Sequence, residues 1–548
     1  MQYEKRIKAL LERLVRVASD TGTIKEKAVE EVLINILDEI PYFKLHKEDK
    51  GFYAIEEDLY ERGVVWAMVK GESKRAIVLM HHHDVVDIND YGELSTFAYD
   101  MEAIQSKLGL KRALPTEVRK DIESNEWLFG RGSADMKAGA AIQLALLEAY
   151  SKQEVRPYHL ILLSVPDEEN MSIGMRKGTG LLRTLKETYG LEYELLINSE
   201  PHERESKSCG TLYTGSVGKL MPVVYVRGKS THIGNVYGGF NPLLVAEKMA
   251  SKIELNTDFC DVIKGEVTLP PSVVYFKDRK TEYNVSTPQS TGFYFSLLLL
   301  KSSADEVLEK LQELAKEAFS EAIHQIQKSY ENYRLLNKAK STIEKSNKDD
   351  SMLGYKVNVQ SFEEIYEVAK KVHGYDFEES YKAYLQEVKK QIDGGKVTLP
   401  ESTFLLIEKV LAYVPCENPV AILAFAPPYY PSVHHENSEL VASLSAFAKA
   451  NWQETYQEKQ YFMGISDMSY VGNHLSEGAI QSLSANMPQW QGIYEVPFED
   501  MKAIQMPMIN IGPWGKDLHQ YSERVYKKDV LKHTPRLLAQ LLRIEMDI

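Results

Sequence analysis

His82 and Asp84 follow the apolar run Ala76-Ile77-Val78-Leu79-Met80, and Glu168 and Glu169 follow Leu160-Ile161-Leu162-Leu163. Glu200 follows Leu195-Leu196-Ile197, His519 lies downstream of Met508-Ile509-Asn510-Ile511, and Asp135 sits in Gly130-Arg131-Gly132-Ser133-Ala134-Asp135-Met136-Lys137. Singly, each has a plain structural reading. Asp135 reads equally as the N-cap of a helix over 138–150, and acidic pairs such as Glu168-Glu169 are usually solvated turns. Jointly, two imidazoles and three carboxylates form a donor set for two divalent ions, with mixed nitrogen and oxygen favouring zinc and admitting cobalt or manganese. One bridging carboxylate gives each ion three protein ligands and leaves a shared water between ions about 3.5–4 Å apart. A sixth group must stay off the metal to move protons. The Glu168-Glu169 pair supplies it, because neighbours at the end of a strand point opposite ways.

These donors need strands that end on one side of a sheet. Over residues 1–212, strand-length apolar runs alternate with helical patterns, which predicts an α/β sheet with much parallel pairing. Ligands bind beyond the carboxyl ends of such strands, so four separate run ends converge by topology. From Tyr213 the pattern changes. Residues 222–226, 272–276 and 292–300 read as strands and 242–253 as a helix, and a long helix starts at a capping box of Ser303 and Glu306. With 419–425 as a last strand the order is βαββαβ, a small domain inserted into the first. Residues 334–415 interrupt it as a polar loop followed by two or three amphipathic helices, the first capped by Ser361 and Glu364. The expected organisation is an outer domain over 1–212 and 432–548 and an inserted domain over 213–431, enlarged by the helices of 334–415.

The composition agrees with this scale. A chain of 548 residues exceeds what one core usually organises, and 44% hydrophobic with 26% charged residues is ordinary globular composition. Sixty-five Lys plus Arg against 79 Asp plus Glu give a net charge of -14, which repels phosphate backbones and anionic lipid, so neither nucleic acid nor membrane is an expected partner. No apolar run reaches the roughly 18 residues of a membrane span, and the charged amino-terminal pattern lacks a signal-peptide core. Cys209, Cys260 and Cys416 are scattered without C-x-x-C spacing, so no disulfide framework or thiolate zinc site is expected, and a cytoplasmic setting fits.

The order of these motifs resembles the co-catalytic zinc aminoacylase and carboxypeptidase family, which includes succinyl-diaminopimelate desuccinylase, glutamate carboxypeptidases, aminoacylases and bacterial dipeptidases. The likeness covers most of the chain outside 334–415. It runs from Ser19-Asp20-Thr21-Gly22-Thr23 through His82-x-Asp84-x-Val86, Gly130 to Lys137, Asp167-Glu168-Glu169 and Glu200-Pro201 to His519 with Glu523. The resemblance implies a zinc-peptidase-type mixed sheet flanked by helices, with the inserted βαββαβ unit as a lid and dimerisation domain. It implies that His82, Asp135 and Glu200 hold one ion and Asp135, Glu169 and His519 the other, with Asp135 as bridge. Asp84 would orient His82 by accepting its second N–H, and Glu168 would be the general base in hydrolysis of an amide bond.

In the inserted domain, Ser230-Thr231-His232 with Gly234 and Asn241-Pro242 resembles a lid motif whose histidine stabilises the tetrahedral oxyanion, often from a partner subunit, which makes a homodimer a candidate assembly. Asn284 in Tyr283 to Pro288 resembles the lid's substrate loop, and Gly464 and Ser466 resemble the loop that lines the substrate pocket. Residues 293–300 lack the arginine with which many relatives grip a substrate carboxylate. Length and insertion resemble the arginine-utilisation branch, which implies an N-acyl arginine or ornithine substrate. A dipeptidase or carboxypeptidase of the same family is the alternative. A non-catalytic scaffold on a decayed site would lack a ligand or the base, and an aminopeptidase relative would lack the lid.

Overall fold

The computed structural model describes residues 2–111, 113–338, 354–415 and 418–546. Cys416 lies outside the described residues, and Cys209 and Cys260 are free thiols. The chain forms two units, one of residues 1–217, 432–473 and 497–548 and one of 218–431 and 474–496.

The first unit is built on an eight-stranded sheet. Its centre is four adjacent parallel strands in the order His159–Val165, Arg75–His82, Glu192–Asn198 and Met508–Asn510. These are the apolar runs that end in ionisable residues. They read as continuous apolar runs because a parallel sheet is covered on both faces, and Val78, Leu79, Leu162, Leu163, Leu196 and Ile197 are fully buried. Each such leucine contributes about 2 kcal/mol relative to exposure. The helix Lys137–Ser151 lies on this sheet, and at Gly139 an added Cβ would sit 2.3 Å from the Ser199 carbonyl oxygen, so only glycine permits that approach. The helix Gln2–Val15 covers it in turn with Leu10, Leu11, Leu14 and Val15. An edge strand, Thr455–Lys459, pairs in parallel with Cys209–Tyr213. Its polar sequence gives no apolar run, and sequence reading passes over it.

The carboxyl-terminal segment is locked into this unit by a buried charge cluster. Arg204 donates to both oxygens of Asp529 at 2.7 and 2.8 Å, His533 Nδ1 lies 3.1 Å from Oδ1, and the Trp514 N–H donates to Oδ2 at 3.0 Å. Burial alone would raise the Asp529 carboxyl, but His533 and Arg204 prevail and hold it at about 2 against an ordinary 3.8. A depressed carboxyl contributes stability that is present above its unfolded value and lost as pH falls through its folded value. Unfolding measured between pH 5 and pH 2 is therefore expected to lose about 2 kcal/mol through this group. That loss should be missing in Asp529→Asn.

The second unit has a five-stranded sheet in the order Ser272–Asp278, Ser290–Leu299, Gly218–Arg227, Val420–Tyr430 and Val359–Ser361. With helices Leu243–Ile253 and Ala304–Lys338 its main elements follow the βαββαβ order. The insertion contributes Phe362–Asp393, opened by the Ser361 and Glu364 capping box and interrupted at Gly374, and Leu399–Leu411. These helices cover the sheet face that carries Met221, Val223, Tyr225, Ile422 and Ala424. Residues 474–496, expected in the outer domain, belong to this unit because their polar groups complete the insertion helices. Asn486 Oδ1 accepts the Glu363 N–H at 3.0 Å, and Gln489 Nε2 donates to the Ser402 and Thr403 hydroxyls at 2.8 Å.

Candidate metal centre

All seven residues at the predicted ligand, base and orienting positions lie in the first unit, beyond the carboxyl ends of the four central strands. His82 ends its strand buried, and its Nδ1 stands 3.0 Å from the Asp84 carbonyl oxygen. A carbonyl can only accept, so Nδ1 carries a proton and points away from the carboxylates, and Nε2 is the nitrogen that faces them and would give its lone pair to a cation on losing its proton. Nε2 lies 3.1 Å from Asp135 Oδ1, 3.3 Å from Glu200 Oε1 and 3.9 Å from Glu168 Oε2. On the other side, His519 Nε2 is 3.3 Å from Asp135 Oδ2 and 3.0 Å from Glu169 Oε2. Asp135 thus turns one oxygen to each imidazole. It caps no helix: the helix that follows begins at Lys137 with no side-chain cap.

Ligands about 2.0–2.1 Å from a tetrahedral zinc stand about 3.3 Å from one another, which is the spacing these donors have. The charges are also arranged for cations. Burial, reinforced by Asp135, lifts Glu200 to about 8 and Glu169 to about 7, and burial drives Glu168 well above the ordinary carboxylate value. Against its own burial, Asp135 is held far down by hydrogen bonds from His519 and His82. Hydrogen bonds to Asp135 and Glu169 raise His519 to about 11. So many carboxylates around two imidazoles leave excess negative charge in a buried place, and two divalent ions would neutralise most of it. The residues present fit such a group.

The separation of Glu168 from Glu169 does not come from strand alternation as expected. The strand ends at Val165, and both glutamates sit on a turn after it. Asp84 lies against the His82 Nδ1, as the orienting role requires, and has a second set of contacts. Its carbonyl receives the His82 proton, with Oδ1 3.4 Å from Nδ1, while Oδ1 and Oδ2 accept the Glu168 and Glu169 N–H groups at 3.1 Å each. Asp84 therefore holds the histidine and the glutamate turn together.

Three further supports were only partly legible. Glu523 Oε1 accepts the Ala134 and Asp135 N–H groups at 3.0 and 3.2 Å, and Oε2 accepts Arg131 at 2.8 Å, tying the Asp135 loop to the His519 loop. Asn510 donates to the Glu200 carbonyl at 3.0 Å. At Gly512 a Cβ would lie 2.0 Å from that same carbonyl oxygen. Ser466, in the expected pocket loop, is fully buried, its Oγ accepting from Asn198 at 3.1 Å, while Gly464 is exposed.

Within the second unit, the His232 and Asn284 loops lie side by side. Ile233 N–H donates to the Val285 carbonyl at 3.1 Å and Thr287 N–H to the Thr231 carbonyl at 2.9 Å. The exposed His232 accepts the Gly234 N–H on Nδ1 at 3.0 Å, so the neutral ring carries its proton on Nε2. Lys280 donates to Asn284 Oδ1 at 2.8 Å and to the Asn284 and Ser286 carbonyls at 3.1 and 2.9 Å, a clamp that sequence reading did not find.

Comparison with known proteins identifies relatives of the chain. The model of peptidase family M20/M25/M40 matches residues 99–483. "Uncharacterized protein YqjN" of Bacillus subtilis (strain 168) is 32% identical over 546 residues, covering 98% of this chain and 96% of that protein. Protein RocB of the same organism is 30% identical over 565 residues with the same coverage. The fold is similar to that of the M20 family metallo-carboxypeptidase Sso-CP2 from Sulfolobus solfataricus, with 12% identity, a TM-score of 0.52 and 98% of each chain covered. The chain belongs to peptidase family M20/M25/M40 and is a hydrolase acting on amide bonds.

Proposed function

We infer that this protein is a dinuclear zinc hydrolase that removes the acyl group from an N-acylated amino acid. Cobalt or manganese would substitute for zinc. The observation that carries this reading is Asp135, with one carboxylate oxygen 3.1 Å from His82 Nε2 and the other 3.3 Å from His519 Nε2. His82, Asp135 and Glu200 would hold one ion and Asp135, Glu169 and His519 the other. Bound there, the ions supply positive charge that acidifies the attacking water and polarises the scissile carbonyl. Glu168 takes the proton of that water and delivers it to the leaving amine. His232 donates its Nε2 proton to the oxyanion, Asn284 and Gly464 contact the substrate, and the buried Ser466 serves the pocket loop by holding Asn198 and not by touching the substrate.

An arginine or ornithine derivative is the proposed substrate, in a cytoplasmic enzyme. Its support is the resemblance in length and insertion to the arginine-utilisation branch, together with the likeness to Protein RocB over 98% of the chain. The test is metal analysis combined with hydrolysis of N-acetyl-L-arginine, N-acetyl-L-ornithine and a set of dipeptides. Two ions per chain and cleavage of the acyl-amino acids are expected. Cleavage of dipeptides alone selects the dipeptidase reading, and no metal-dependent cleavage of any compound overturns both. His232→Ala is expected to lower kcat by about 10²–10³-fold, the usual loss of one oxyanion donor. Recovery of activity on mixing it with Glu168→Gln would show that the histidine works across a homodimer.

A further inference from the structure

The turn that carries Glu168 and Glu169 has three consecutive backbone N–H groups, and each is received by a buried carboxylate. The Asp167 N–H donates to Glu26 Oε2 at 2.9 Å, the Glu168 N–H to Asp84 Oδ1 at 3.1 Å and the Glu169 N–H to Asp84 Oδ2 at 3.1 Å. Glu26 and Asp84 are both fully buried. Asp84 is anchored by its neighbour His82. Glu26 comes from a distant helix, Lys25–Glu39, and needs a different anchor.

That anchor is Arg62, which is 5% exposed. Its Nη1 donates to Glu26 Oε1 at 2.8 Å and to Asp167 Oδ1 at 2.7 Å. Its Nε and Nη2 grip Asp58, Nη2 at 2.8 Å, and Asp58 Oδ2 in turn accepts the Arg62 backbone N–H at 2.9 Å. Glu26 Oε1 also accepts the Gly22 N–H at 2.7 Å. The far side of the turn is closed by Asp167, whose carbonyl accepts the Ser172 N–H at 2.7 Å while its own backbone is held at φ +69°. Aspartate adopts that left-handed conformation more readily than most L-residues, and the bonds on either side of it fix it there. Among the described residues, Arg62 is the cation bonded to Glu26 and Asp167.

We propose that Glu26 and Arg62 are a positioning pair that fixes the Asp167 to Glu169 turn and thereby aims the Glu168 carboxylate. Neither touches the reacting atoms. Both oxygens of Glu26 are used as acceptors, so a glutamine there must set its NH2 group against a donor whichever way the amide is turned. A lysine at 62 offers a point charge in place of a planar fork and cannot reach Asp58, Glu26 and Asp167 together. The proposal rests on the reading of Glu168 as the base.

The test uses the full-length, zinc-loaded protein and the variants Glu26→Gln and Arg62→Lys, with Glu168→Gln as reference. Hydrogen exchange of the peptide spanning 165–172 needs no substrate. It is expected to quicken by about tenfold or more in both variants, with two ions still bound, because the amides lose their fixed acceptors. With the panel compound cleaved fastest, kcat should fall on the order of 100-fold, the cost of displacing a reacting group by about 1 Å, while KM stays near that of the parent. If only one variant folds, it carries the test alone. Unchanged exchange, quicker exchange with kcat intact, or a fall in kcat that merely follows metal loss and a lower Tm each overturn the proposal. An active Glu168→Gln would instead overturn the reading of Glu168, while the exchange result would still report on the turn.

Discussion

Asp135→Ala is expected to release both ions, with metal content falling from two per chain to none and kcat falling by roughly 10⁴-fold or more. The asymmetry with its neighbours is the informative part. Asp135 sends Oδ1 to the His82 side and Oδ2 to the His519 side, so its loss takes a ligand from each ion. Glu200 stands 3.3 Å from His82 and Glu169 stands 3.0 Å from His519, so under the proposed ligand assignment Glu200→Ala or Glu169→Ala should cost one ion each. Removal of the cations should also lower stability, by about 2.7 kcal/mol for each ion when free metal had stood at 100 times its Kd. Metal analysis after dialysis, with unfolding followed in the same samples, checks both. Retention of one tightly held ion by Asp135→Ala would show that this carboxylate does not bridge.

Glu168→Gln is expected to lower kcat by about 10²–10⁴-fold, the range for loss of a general base, with two ions still bound and KM little changed. Glu168 Oε2 is 3.9 Å from His82 Nε2, farther than Asp135 or Glu200, which leaves it beside the cation position. Asp84 accepts the backbone N–H of Glu168, so the turn keeps its course when the side chain is neutralised. The measurement is kcat, KM and metal content on one preparation. A variant that keeps activity, or that loses an ion, would place Glu168 among the ligands and move the proton-transfer role elsewhere.

Much of this centre was readable before any coordinates because its parts are local. Parallel strands buried on both faces appear as uninterrupted apolar runs, and the polar residues after them mark the ligand side of the sheet. The supports were not readable in the same way. Glu26 and Arg62 are single charged residues in a helix and beside a strand, where exposure is the usual expectation, and the Glu26 partner Asp167 is 141 positions away. The strand Thr455–Lys459 carries no apolar run, and residues 474–496 join the second unit through amide side chains such as Asn486 and Gln489. Even the split between Glu168 and Glu169 follows from a turn and not from the strand period.

By itself, the order of residue types determined the class of sheet, the four strand ends and the family, and it named a candidate donor set, since each of these is written in short stretches of chain. Only the tertiary structure decided that Glu523 ties the Asp135 loop to the His519 loop, that Asp84 holds the glutamate turn, and that Glu26 and Arg62 reach it. Those contacts join segments far apart in sequence, and a hydrogen bond between distant residues leaves no periodic trace in either one.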